Sequence, residues 1–535
     1  IGMGNNPMVG ATVACAVAVN AALNAKGQPY RIILMPGFWR EMRPLLGLLG
    51  QRFSFFLNLA NGGKFVVDGS SCAVYPRQRP SGTPLQRGIY TTGHALHKAR
   101  LQGKREAIRT MFETELPYDH KTMTIRLEDK NFAGLMQGHQ NDFKPSESQE
   151  QLVEDSLDNP YGSPKLEELC AGKRDIVIIS SDHTRPVPSR VTMPILLRRI
   201  HAAAPEARVR ILVATGMHRP STHEELVNKY GEDIVANEEI VMHVATDDSM
   251  MEKIGTLPSG GECIINKVAA DADLLLAEGF IEPHFFAGFS GSRKSVLPGV
   301  ASYKTIMYNH NGQFVNDSHS RAGNLCHNHI SEDMFAAAEM ARLAFVLNVV
   351  LNGKHEVIGS FAGDIHEAHE AGCDFVRKLA GVEPVACDIA VTTNGGYPLD
   401  QNIYQAVKGM CAAEATLPEG GVIIDVAGCA DGHGGEGLYH NIADNDPAEF
   451  ERACIDRPKD ETLPDQWTSQ IFARILAHHP VILVTDLCDH QMIRDMHMTP
   501  VNTVEEALAL AFEMKGADAK VAVIPDGLGV VVAQH

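Results

Sequence analysis

The chain has 535 residues, 44% of them hydrophobic, enough for two or three globular cores. Its formal charge of −19 argues against duplex nucleic acid as a partner of the whole chain. Eleven cysteines without a CxxC pair exclude a zinc ribbon and fit reduced thiols in a cytoplasmic protein.

The charge is unevenly spread. Residues 1–112 carry 14 Lys and Arg against 3 Asp and Glu, whereas the remainder carries 33 against 63. Such a break separates parts of different character, so 1–112 is read as an N-terminal extension of unassigned nature. Residues 8–23 form an apolar run rich in Ala and Val, broken by Asn20 and a little short for a membrane span. No basic stretch precedes it, so a buried helix fits better than a signal peptide. Residues 31–35 read as a short strand. Residues 76–88, rich in Pro, Arg and Gly, show no steady period, and no chemistry is expected on the extension.

Beyond residue 115, Thr122, Thr124 and Arg126 alternate with Met123, Ile125 and Leu127, which predicts edge strands. An acidic stretch over 147–169 carries a turn followed by a helix signal. Three apolar runs come next, over 175–186, 208–220 and 271–284, and each ends in a small or polar loop. Helical patterns at 193–203 and 222–230 lie between them. Strands without alternation, separated by helices, imply a parallel sheet covered on both faces. Ligands of such sheets bind beyond the carboxyl ends of the strands. The runs deliver Asp182, His183, Thr184 and Arg185, then His218 and Arg219, then His284 to that edge.

A second α/β pattern begins near Cys387. A strand and a Gly turn lead into a helix carrying Gln405 and Lys408, which are three apart and share a face. Further strands are predicted at 422–426, 481–484 and 521–524, and helices at 467–477 and 504–514. The expected fold is therefore α/β: two α/β domains with parallel-type sheets and an interdomain active-site cleft. The first is expected over 113–385, completed by 518–535, and the second over 386–517.

The densest chemistry lies in GFIEPHFFAGFSGSRKSVLPG, residues 279–299. A Gly/Ser-rich turn lets backbone N–H groups approach an anion. Lys294 beside it suits either phosphate neutralisation or covalent bonding, and spacing alone does not choose. The GxxxxGK[ST] spacing of a phosphate-binding loop is absent. His218 and His284, both at strand ends, are placed to serve the two faces of one substrate, as inversion of a stereocentre requires. Arg185 is either a carboxylate fork or a loop residue paired with Asp182. His310, within YNHNGQF, reads on its own as a turn residue, and the Cys326–His327–His329 cluster as a plain loop. Gln405 and Lys408 fit a small anion or a solvated helix face. Trp467 fits the core as well as a ligand wall.

Four segments carry a family resemblance: SDHTRPVP (181–188), ATGMHRPSTHEELVNKYGEDIV (214–235), the 279–299 stretch, and NGGYPLDQNIYQAVKGM (394–410). Together they resemble the nickel-pincer lactate racemases, and the likeness runs from about residue 116 to near the C-terminus. It implies a lactate racemase that interconverts D- and L-lactate by reversible hydride transfer through pyruvate. The implied cofactor is the nickel pyridinium-3-thioamide-5-thiocarboxylic acid mononucleotide, attached covalently through Lys294. The resemblance places the proton-handling pair at His218 and His284, and the nickel ligand at His310. Cofactor contacts fall on Asp182, His183, Thr184 and Arg185, and substrate contacts on Arg185, Gln405, Lys408 and Trp467. Ser292 stands where the family usually has Gly, so strain at that turn bears on cofactor loading. Expected partners are a small 2-hydroxy acid and, transiently, the enzymes that build the cofactor, with neither nucleic acid nor membrane. The alternatives are racemisation of another short 2-hydroxy acid and non-catalytic binding of the nickel cofactor or a nucleotide. A conventional nicotinamide oxidoreductase is the third, and no G-x-G-x-x-G follows a strand to support it.

Overall fold

A computed structural model describes residues 111–291 and 293–533, and the backbone of three short strands nearer the N-terminus. The segments 8–23 and 31–35 and the turn residue Ser292 lie outside the described residues. The chain divides into two compact units, 1–107 and 108–535. In the first, Phe55–Asn58, Lys64–Asp68 and Ser71–Tyr75 form an antiparallel sheet.

The second unit opens with a hairpin of β1 (Met111–Tyr118) and β2 (Lys121–Glu128). Its alternation puts Ile125 and Leu127 inward, while Thr122 and Thr124 face out and donate to Glu115. Strand β3 (Phe132–Leu135) follows. The first sheet holds β4 (Asp175–Ser181), β5 (Arg208–Ala214), β6 (Glu239–Met242), β7 (Leu274–Phe280), β8 (Leu343–Leu351) and β9 (Val357–Gly363). Their order is β9-β8-β7-β4-β5-β6, parallel except for β9.

The second sheet holds β10 (Ile389–Thr393), β11 (Val422–Val426), β12 (Val481–Val484), β13 (Thr499–Val501) and β14 (Val521–Ile524), with β3 at one edge. All its pairings are parallel. One expectation is corrected here. The strand of the 518–535 tail does not complete the first sheet but lies inside the second, between β10 and β3. An apolar run such as VAVI announces a strand covered on both faces, yet its period carries no information about which sheet receives it.

Helices cover both sheets. Those that matter below are α1 (Ser189–Ala203), α2 (His223–Tyr230), α3 (Arg293–Val296), α4 (Tyr303–Asn309), α5 (His329–Met340), α6 (Glu367–Ala380), α7 (Ile403–Glu414), α8 (Gln466–His478) and α9 (Val504–Lys515). Thr222 and Glu225 form a reciprocal capping box at the start of α2. One apolar cluster runs continuously from Leu275 and Ala277 through Phe286 and Val315 to Ala406 and Phe472, joining the two sheets through a shared core. Among the described residues no helix is long and apolar enough to cross a membrane.

Candidate active site

The loop after β4 carries Asp182, which is 1% exposed. One of its carboxylate oxygens accepts from the Thr184 N–H at 3.1 Å and the Thr184 hydroxyl at 2.7 Å; the other accepts from His218 Nδ1 at 2.8 Å. Burial alone would raise the Asp182 pKa. The bonds from His218 and Thr184 and the Arg185 charge outweigh it and hold the carboxyl below its ordinary range. An ionised carboxylate only accepts, so Nδ1 of His218 carries a proton, and in the neutral ring Nε2 is the nitrogen with the lone pair. His218 reaches this position because the backbone turns at Gly216 (φ 54°), whose N–H donates to the Gly299 carbonyl at 2.9 Å. Thr184 Oγ1 also accepts from Arg185 Nη1 at 3.0 Å, which aims the guanidinium. His183 points elsewhere: its Nδ1 lies 3.0 Å from Ser221 Oγ and 3.7 Å from Glu225, at the start of α2.

Beyond β7 a short hairpin with two-residue arms pairs Pro283–His284 with Gly288–Phe289. The Ala287 N–H donates to His284 Nδ1 at 3.2 Å. Burial, reinforced by Lys294, Lys408, His310 and Arg185, lowers the His284 pKa well below the usual histidine value. The ring is therefore neutral with its proton on Nε2, the opposite tautomer to His218. Phe286 is the hub of the site. Its ring centroid lies 4.6 Å from that of His284, 5.4 Å from that of His310 and 5.8 Å from Lys294 Nζ. His310 ends α4 and donates from Nδ1 to the Ile306 carbonyl at 3.2 Å, which frees Nε2. Burial, with help from Lys294, lowers its pKa to about 3. Trp467 meets it edge-on at 5.1 Å. Lys294 lies deep in the cleft, where burial and then Arg293 and Arg185 push its amine well below the ordinary lysine value.

The hairpin depends on one glycine. Gly288 has φ 77°, and a Cβ there would stand 2.2 Å from the Asn324 carbonyl oxygen. That oxygen belongs to the backbone and does not yield cheaply. Gly288→Ala is expected to cost about 1–3 kcal/mol and to lower the melting temperature by several degrees in a thermal scan.

From the second sheet, Asn402 caps α7 and the helix presents Gln405 and Lys408, with Lys408 Nζ donating to Gln405 Oε1 at 2.6 Å. Burial and the Arg185 charge bring the Lys408 ammonium down to about 8. The charge of Arg185 reaches His284, Lys294 and Lys408 alike, so one cleft gathers His218, His284, Lys294, Arg185, His310, Gln405, Lys408 and Trp467. The sequence reading passed over four lining groups. Phe286 and Glu282 sit within two residues of His284, so that motif already contained them. Burial raises the Glu282 carboxyl pKa against the opposing pull of Lys408, Arg185 and Lys294. Tyr404 and Asp465 gave no signal: Asp465 (φ 58°) takes a hydrogen bond from Tyr404 and feels the charge of His218 only because α8 folds over it. Among the described residues no three His, Cys, Asp or Glu side chains form a metal cage, and Cys326, His327 and His329 stand in a surface loop and helix start.

The comparisons with known proteins concern the 108–535 unit. The family profile of the lactate racemase N-terminal domain matches residues 118–323, and that of the lactate racemase C-terminal domain matches 382–532. The chain is 64% identical to a lactate racemase of Lactiplantibacillus plantarum over 423 residues, which is 79% of this chain and all of that one. It is 50% identical, over the same share, to a lactate racemase of Thermoanaerobacterium thermosaccharolyticum. The solved lactate racemase apoprotein of that organism superposes with a TM-score of 0.77 at 49% identity, covering 79% of this chain and all of its own. A Thermotoga maritima protein shares the fold alone, at 19% identity and a TM-score of 0.54 over 73% of this chain and all of its own.

Proposed function

The chain belongs to the lactate racemase family, and on that premise we propose that it is itself a lactate racemase, an isomerase interconverting D- and L-lactate through pyruvate. The observation that carries the proposal is that Arg185, bonded to Thr184 beside the Asp182–His218 pair, also acts with its charge on His284 and Lys408. The first sheet is read as the cofactor lobe and the second as the substrate lobe.

The cofactor implied by the family is the nickel-pincer nucleotide, and the residues present suit it. Lys294 offers a free amine for the covalent link. His310 offers a lone pair at Nε2, with its other nitrogen fixed by Ile306, the usual arrangement of a metal-ligating imidazole. One protein ligand suffices where the nucleotide supplies the other donors. Asp182, Thr184 and Arg185 would hold the ring, and His183 the outer edge of the nucleotide. When bound, the cofactor supplies a carbon that accepts and returns hydride.

The chain's own groups do the rest. Arg185 and Lys408 clamp the lactate carboxylate, with Gln405 and Trp467 closing the pocket. His218, held in its accepting tautomer by Asp182, takes the hydroxyl proton of one enantiomer. His284 gives a proton to the oxygen from the other side once its ring has taken up a second one, so it ends as neutral imidazole and the proton gained by His218 balances the one lost. The reverse reaction exchanges the roles. Neither histidine needs to attack Cα–H, a very weak acid beside a carboxylate. The nine described cysteines are all unpaired, which suits work in the cytoplasm, where the cofactor-building enzymes would meet the apoprotein.

The test is a chiral assay of enzyme co-expressed with the cofactor-making enzymes, started from each lactate enantiomer. Both should reach the same racemic mixture; a mixture that stays enantiopure refutes the reading. A pH profile adds a second expected result. Below about 8 the free enzyme offers Lys408 as a cation to the carboxylate, and above it that charge is lost. kcat/KM should fall as pH rises through this value, and Lys408→Met should remove that limb while lowering kcat/KM about 10- to 100-fold at pH 7.

A further inference from the structure

Arg293 is the largest fully buried side chain of the described residues, 1% exposed, and it has no carboxylate partner. Its Nη2 donates to the carbonyls of Ala287 (3.1 Å) and Phe289 (3.0 Å) and to Ser331 Oγ (3.2 Å). Its Nη1 donates to the Ser290 carbonyl at 3.1 Å and lies 2.6 Å from His369 Nε2. Three of these acceptors are the backbone of the turn between His284 and Lys294. The guanidinium stacks on Phe335, 4.8 Å from the ring centroid. Nε2 of His369 is shared between the Arg293 guanidinium at 2.6 Å and the Ser290 carbonyl at 2.8 Å, and Cys373 Sγ lies 3.6 Å from the ring nitrogens. Gly291 admits that contact, since a Cβ there would stand 2.6 Å from the His369 ring. A buried arginine is ordinarily matched by an acid. Here a neutral imidazole and a thiol occupy that place, so the positive charge is left uncompensated one residue from Lys294.

We propose that Arg293 is a positioning residue for covalent capture at Lys294: it locks the turn that joins His284 to Lys294, and its uncompensated charge sets the reactivity of the Lys294 amine. The chemistry deepens the lactate racemase reading and rests on it for the identity of the electrophile. Attachment condenses a thiocarboxylate of the nucleotide with the Lys294 amine. A C–N bond forms, the carbon–oxygen bond breaks, and the oxygen departs as water with the two protons of the amine and acid, leaving a thioamide. Only the uncharged amine has the electron pair for that attack. Six charged or titratable groups face Lys294: Arg293 on its own helix, Arg185 from the β4 loop, Glu282 and His284 from the hairpin arm, His310 from α4 and Lys408 from α7. Of the charges acting on its amine, that of Arg293 weighs most and Glu282 opposes it.

The test needs neither nickel nor lactate. Full-length apoprotein is labelled with limiting acetic anhydride across pH 5–11, and acetylation of Lys294 is read by peptide mass spectrometry against the surface lysines. The expected result is a Lys294 midpoint well below theirs, moved up by about one pH unit or more in Arg293→Met. His369→Asp keeps the guanidinium and its carbonyl bonds but supplies the missing counter-charge. It should move the midpoint the same way with the melting temperature preserved, and it serves where Arg293→Met does not fold. A Lys294 midpoint equal to those of surface lysines, or one unmoved by His369→Asp in folded protein, overturns the proposal. If the midpoint moves as expected but lactate is never interconverted, the inference stands and the functional reading falls.

Discussion

Lys294→Ala should abolish lactate interconversion, by ~10^4-fold or more, the scale seen when a group that forms a covalent bond is removed. The intact mass of the variant, co-expressed with the cofactor-making enzymes, should show no adduct. Lys294→Arg should fail equally, because a guanidinium keeps the charge but offers no nucleophilic electron pair. Neither loss should reflect unfolding. Among the described residues Nζ of Lys294 makes no hydrogen bond, and the charged groups around it mostly repel its protonated form. Removing a poorly compensated cation from such surroundings costs little, so the melting temperature of Lys294→Ala should equal or exceed that of the parent chain. An adduct that persists in Lys294→Ala would locate the attachment elsewhere.

His218→Ala and His284→Ala should each lower kcat by ~10^2- to 10^4-fold, the usual worth of a positioned proton-transfer group. Both variants should still carry the adduct, because neither side chain provides the covalent link. This separation of loading from turnover divides the racemase reading from a protein that merely stores the cofactor. Storage predicts that alanine at either position changes nothing measurable. Loss in His218→Ala should be matched closely by Asp182→Asn, because the amide no longer imposes the accepting tautomer that the 2.8 Å bond to Nδ1 maintains. Each single variant should be impaired from both enantiomers, since the forward and reverse reactions use the same two groups.

Much of this was legible in the residues. The apolar runs at 175–186, 208–220 and 271–284 announced covered parallel strands, which form at 175–181, 208–214 and 274–280 with Asp182, His218 and His284 beyond their ends. Spacing of three placed Gln405 and Lys408 together, and they meet at 2.6 Å. What stayed hidden depends on long-range packing. The sheet that receives Val521–Ile524 is set by partners nearly four hundred residues away, at Phe132–Leu135. Asp465 enters the cleft only through the seating of α8. His183 belongs to the same tetrapeptide as Arg185, yet its ring bonds to Ser221 and lies 3.7 Å from Glu225. The acceptor set of Arg293 is invisible in SGSRKS, because its meaning lies in a partner that is missing: no acid stands where a buried guanidinium would ordinarily find one.

The central claim is that His218 and His284 handle only the hydroxyl proton, so that hydrogen on Cα never meets solvent. The direct measurement is racemisation of L-lactate by the loaded enzyme in deuterium oxide, followed by proton NMR of the methyl and Cα signals. The account predicts a racemic mixture with undeuterated Cα in both enantiomers. Deuterium at Cα in the D-lactate formed would mean that a base removes that hydrogen, and would contradict it.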